Sequence, residues 1–136
     1  MSRRSDLIAA WKALLETTGY PVGYGERAPA SDETEPTREI VFRVSSAVRR
    51  DGLKKSHEST VRIAAVVDAE ALDQPGEAAG EMLDAIKAAV ETTDATVGGW
   101  PIEPSTEEEY ARAPGVKYGG IEIVYTQRWS ETWGAP

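Results

Sequence analysis

The chain has 136 residues, enough for one hydrophobic core that buries about two-thirds of the unfolded chain's surface. Hydrophobic residues make up 40% and charged residues 28%, proportions of a globular protein that exclude a disordered or fibrous one. The absence of cysteine removes thiol nucleophiles, disulfide frameworks and thiolate metal sites, and a net charge of -8 disfavours uniform attraction to nucleic acid.

Ser5 sits where a cap opens a helix whose apolar positions, Leu7, Ile8, Trp11, Leu14 and Leu15, recur at helical spacing, with Asp6 near the positive end of the dipole. Gly19 stops this helix, and Tyr20-Pro21-Val22 reads as a short strand. Residues 23–38 are rich in Pro, Gly, Ser, Thr and acid without either period, which predicts a long loop. Two strands follow, Glu39–Val48 and Ser59–Val67. Ile40, Phe42 and Val44 alternate on one face of the first, and Val61, Ile63, Ala65 and Val67 on one face of the second. Asp51-Gly52 between them suits a tight reversal, so the pair is expected to form a long hairpin with Arg49, Arg50, Lys54 and Lys55 at its tip.

Pro75 opens a second amphipathic helix along Ala79, Met82, Leu83, Ile86 and Val90. Thr96–Ile102 reads as an edge strand, because Pro101 cannot donate to a ladder. Past the acidic segment Ser105–Tyr110 and a turn at Pro114-Gly115, Lys117–Trp129 carries the strongest strand signal, with Ile121, Ile123, Tyr125 and Trp129 on one side, and is expected to be central. The tail, Ser130–Pro136, has no pattern and holds Trp133. The order α, β, β, β, α, β, β predicts one α+β domain over residues 1–136, a mainly antiparallel sheet of four to five strands with two helices on one face. No run of about eighteen apolar residues and no signal-peptide core occurs, so no membrane partner is expected.

Candidate sites divide into weak chemistry and stronger contact surfaces. His57, the sole histidine, lies among charges near the hairpin tip and reads as a solvated side chain, since a catalytic base needs shelter and an orienting partner. Glu103 and Glu107–Glu109 lack the D-x-D-x-D-G spacing of a cation loop, and Gly98-Gly99 and Gly119-Gly120 lack a phosphate-loop context, reading instead as turns or bulges. The expectation is no enzyme, no cofactor and no metal. Arg49, Arg50, Lys54 and Lys55, with no aromatic interleaving, fit a protein partner better than nucleic acid. Trp133, beyond the last patterned strand, is the better interface candidate among the aromatics that crowd the last third of the chain.

Four segments in this order, Asp6-Leu7-Ile8-Ala9-Ala10-Trp11, Val61-Arg62-Ile63-Ala64-Ala65-Val66-Val67, Met82-Leu83-Asp84-Ala85-Ile86 and Gly120-Ile121-Glu122-Ile123-Val124-Tyr125, give the chain its resemblance to the tail terminator (tail completion) proteins of long-tailed phages and phage-like particles. The resemblance rests on element order over nearly the whole chain. It implies a virion protein, assembled in the host cytoplasm, that forms a homohexameric ring, caps the tail tube, ends its polymerisation and offers a surface to the head-tail connector, with DNA only as passing cargo. In such a ring, acids of Glu26–Glu39 and Glu103–Glu109 facing the lumen would repel DNA phosphates. The alternatives are another connector or minor tail component, or a small-molecule-binding module or enzyme marked by a deep pocket with perturbed titrating groups.

Overall fold

A computed structural model describes residues 3–25 and 37–132. The elements run α1 (Arg3–Glu16), β1 (Val22–Tyr24), β2 (Arg38–Asp51), β3 (Lys54–Asp68), α2 (Pro75–Glu91), β4 (Thr96–Val97), β5 (Trp100–Pro101), β6 (Thr106–Glu107) and β7 (Tyr118–Thr132). Five strands form one sheet in the order β1-β2-β3-β7-β6, antiparallel except where β1 lies parallel to β2, and β4-β5 form a separate ribbon. This is the α+β architecture that the sequence predicts. The centre, however, belongs to β3: β7 pairs with β3 along one side and has on its other side only the two-residue β6 and isolated bridges at Gln127 and Gly120.

Strand alternation sorts the side chains into a covered and an open face. Ile40, Phe42 and Val44 of β2, Val61, Ile63, Ala65 and Val67 of β3, and Ile123 and Tyr125 of β7 share the covered face, all buried. Trp11 and Leu15 of α1 and Ala79, Met82, Leu83, Ile86 and Val90 of α2 complete this core from above. Pro75 stands in the first turn of α2, where its missing N–H costs nothing. The Thr92 and Thr93 hydroxyls close the far end by donating to the carbonyls of Ala89 and Val90, each at 2.6 Å. The helix α1 starts at Arg3, so Ser5 lies within its first turn and not at the cap.

The apolar alternation stops at one rung. Past Val44, Val61 and Tyr125 the next covered-face row is Ser46, Ser59 and Gln127, in which the two serine hydroxyls meet at 3.1 Å and Gln127 is fully buried. The Gln127 side-chain carbonyl accepts the Trp11 indole N–H at 3.0 Å, while its amide nitrogen donates to the carbonyls of Val97 at 2.8 Å and Trp100 at 3.1 Å. One side chain thus joins α1, β7 and the β4-β5 ribbon.

Thr96–Ile102 is a hairpin and not a single strand. Gly98 and Gly99, at φ of 64° and 83°, make its turn in the left-handed region that favours glycine. Gly119 and Gly120 are strand residues in register with Val67 and Val66, not turns. Their reason is close approach: a Cβ on Gly119 would meet the Tyr110 ring hydroxyl, and one on Gly120 the Ala65 carbonyl oxygen at 2.6 Å.

The base of the sheet is tied by Asp68. Its carboxylate accepts the Glu70 and Ala71 N–H groups at 3.0 and 3.1 Å and faces the Lys117 ammonium at 3.3 Å. Burial pushes this carboxyl up, but the Ala71 and Glu70 hydrogen bonds and the lysine together outweigh it and hold the group below its usual value. A lowered folded value adds stability that is present above the unfolded value and disappears as the pH falls through the folded one. The urea midpoint is therefore expected to drop as the pH falls below about 4, and Asp68→Asn should flatten that dependence while lowering stability at pH 7. An unchanged acid limb in the variant would assign it to other carboxylates.

Candidate assembly interface

The three long strands continue past the Gln127 rung without helices above them. They form a projecting arm: residues 47–51 of β2, residues 54–58 of β3 and residues 128–132 of β7. The alternation of apolar residues ends β2 at Val48 and begins β3 at Ser59. The ladder instead runs to Asp51 opposite Lys54, around a turn at Gly52 (φ 61°) and Leu53. Five rungs at about 3.3 Å each give the arm a reach of roughly 16 Å.

On the covered face the arm carries an aromatic stack. Val48, His57 and Trp129 form one rung. The His57 ring stacks on Trp129 at 5.0 Å between centroids with an interplanar angle of 5°, and Trp100 from the ribbon stacks on Trp129 at 4.5 Å. His57 is therefore half-buried against an indole, which corrects its reading as a solvated side chain, and aromatic rings do lie beside the basic segment. Both faces of Trp129 are occupied by other rings, which leaves no free platform for a nucleic-acid base.

The structure brings the four predicted cations together. Arg49 pairs with Ser56, Arg50 with Lys55 and Asp51 with Lys54, so all four lie within three consecutive rungs. Arg49 and Lys54 make no ion pair among the described residues. Beside them Leu53 is 71% exposed and Val48 51% exposed. An apolar residue at the apex, ringed by cations, is the composition of a contact surface. Trp133 lies outside the described residues. Arg128, on the open face, is held by Glu58 at 3.1 Å and Glu103 at 2.7 Å, so it adds no free positive charge.

Both edges of the arm are open among the described residues. The strand β1 covers β2 only at Ile40–Phe42, and nothing pairs with β7 beyond Gln127. Charges on an exposed edge discourage indiscriminate strand pairing. Arg49 and Arg50 place such charges on β2.

The concave regions offer little to a small ligand. An open groove of about 820 Å³ follows the arm past Val48, Arg49, Lys54, His57 and Trp129. A shallower recess of about 460 Å³ is lined by Glu91, Glu103, Glu107 and Tyr125. Burial pushes the Tyr125 hydroxyl above its usual value despite a bond to Ser105, and Glu107 and Glu91 push the same way, so it stays protonated at neutral pH. No group of three His, Asp or Glu residues among the described residues is placed to hold a metal. No described helix is long and apolar enough to cross a membrane. Of the acids expected to face a lumen, Glu103 pairs with Arg128 and Glu107 with Lys87 at 2.6 Å, while 26–35 lie outside the described residues.

No protein-family model matches the sequence, and no curated protein matches it. One similar solved structure comes from the virion of a native gene transfer agent particle, at 16% identity and a TM-score of 0.47, covering 96% of this chain and 92% of that one. A second, whose name states no function, aligns at 16% identity and a TM-score of 0.52, covering 95% of this chain and 97% of the other. At that identity the likeness to the second structure describes a shared fold alone.

Proposed function

We propose that this protein is a structural component of a phage or phage-like virion, a tail terminator that closes into a homohexameric ring, caps the tail tube, stops its growth and receives the head connector. The observation that carries the reading is the arm. Three strands extend beyond the core into solvent, exposing Leu53 and Val48 among cations, an arrangement that contributes nothing to the subunit's own core. The resemblance of the element order to tail terminators supports the same reading. The open, shallow concavities favour a contact surface over a substrate site.

A heterologous contact, one surface of a copy against a different surface of the next, generates a closed ring when the rotation permits. Light scattering and negative-stain imaging of the purified protein, alone and with polymerising tail-tube protein, test the proposal. The expected result is a particle of six chain masses seated at the ends of tubes that stop elongating. A monomer that leaves tube growth unchanged overturns it.

A further inference from the structure

The arm tip has a complement on the same chain, and the two cannot meet within one molecule. At the opposite end of the sheet a recess of about 330 Å³ is lined by Arg38, Leu72, Asp73, Gln74, Glu77, Ala78 and Glu81. Leu72, half-buried, supplies apolar surface. Asp73, Glu77 and Glu81 are exposed, and they outnumber the single cation Arg38. The tip presents the converse: an exposed leucine and two cations that make no ion pair among the described residues, Arg49 and Lys54. Arg38 opens β2 and the tip closes it, 14 residues on, so recess and tip are roughly 40 Å apart in one copy.

We infer that the arm tip of one copy docks head to tail in the recess of a second copy. Leu53 enters over Leu72, and Arg49 and Lys54 pair with Asp73, Glu77 and Glu81. The inference deepens the ring reading above and rests on it for closure, since the same contact repeated without closure makes a filament. A tip in a single recess buries less than the roughly 1,200 Å² of a stable interface. One contact is therefore weak and salt-sensitive, and assembly depends on many being made together.

The chain has no cysteine, so Leu53→Cys with Leu72→Cys in one chain gives a clean test. A disulfide needs Cα atoms within about 7 Å, which excludes the bridge within one copy. Mild oxidation at low salt is expected to give a ladder of dimers, trimers and higher species, converging on the ring, that is lost in 1 M salt. Arg49→Glu with Lys54→Glu, or Glu77→Lys with Glu81→Lys, each added to the cysteine pair, should reduce the ladder at least tenfold. Mixing the two reversed proteins should restore it, because each then offers the charge the other lacks. All four charged positions are exposed, and circular dichroism with melting curves checks that the fold is intact. No ladder, or a ladder indifferent to charge reversal, overturns the docking. If the unmodified protein still forms rings by mass, the ring reading survives that failure. A ladder that grows without closing upholds the docking and overturns the ring.

Discussion

Trp11→Ala is expected to lower stability by about 3–5 kcal/mol. Trp11 is fully buried, its ring lies 5.5 Å from that of Tyr125, and its N–H is committed to Gln127. The substitution removes the largest buried side chain, opens a cavity between α1 and the sheet, and leaves the Gln127 carbonyl unpaired. Domains of this size hold only about 5–15 kcal/mol in total, so the variant should unfold at a temperature lower by roughly 10 °C or more. Trp11→Phe keeps most of the packing and loses only the N–H, and its cost should be about 1–2 kcal/mol. Thermal and urea denaturation of the pair measure the two contributions separately. Equal losses would show that the hydrogen bond, and not the ring volume, carries the effect.

The elements legible in the sequence are those whose period is enforced by burial. Trp11 and Leu15 keep helical spacing because they face the sheet, and Ile40, Phe42 and Val44 keep strand spacing because they face the helices. Where burial ends, so does legibility. The arm continues the same ladder with Val48 and Arg50, positions that no core selects for hydrophobicity, and the strand limits drawn from alternation therefore stop short. Gly119-Gly120 misled because the usual meaning of paired glycines is a turn, whereas the crowding from Tyr110 and the Ala65 carbonyl arises only in the folded chain. His57 was placed in solvent by its charged neighbours, although it keeps step with Val61 and Ile63 and so belongs to the covered face.

The cation cluster at the tip was legible as a compact run of residues. Its counterpart was not, because Arg38 joins Leu72, Asp73 and Glu81 only in the folded chain. Complementary surfaces at opposite ends of one sheet are a property of the topology, and no local spacing records it.

Gln127→Leu is expected to cost about 3 kcal/mol even though it makes the core more apolar. Glutamine in a strand ordinarily reads as solvent-facing, but Gln127 keeps phase with Ile123 and Tyr125, the signal that places it inside. The Trp11 indole can only donate and the carbonyls of Val97 and Trp100 can only accept, so a buried amide with both functions satisfies all three at once. Leucine fills the volume and leaves one donor and two acceptors dry. Gln127→Glu separates this explanation from simple packing. A carboxylate can still accept from Trp11, yet it has no hydrogen for the two carbonyls, so burial and their negative ends should raise its folded pKa above the unfolded value. A group raised in that way contributes its stability below the unfolded pKa, near 4.3, and loses it as the pH rises through the folded one. The glutamate variant is therefore expected to approach the parent at pH 4 and to fall away by pH 7, as followed by urea denaturation across that range. Because the same carbonyls hold the ribbon that carries Trp100, loosening them should also release the stack on Trp129 and His57 at the root of the arm. Near-ultraviolet circular dichroism would report that release.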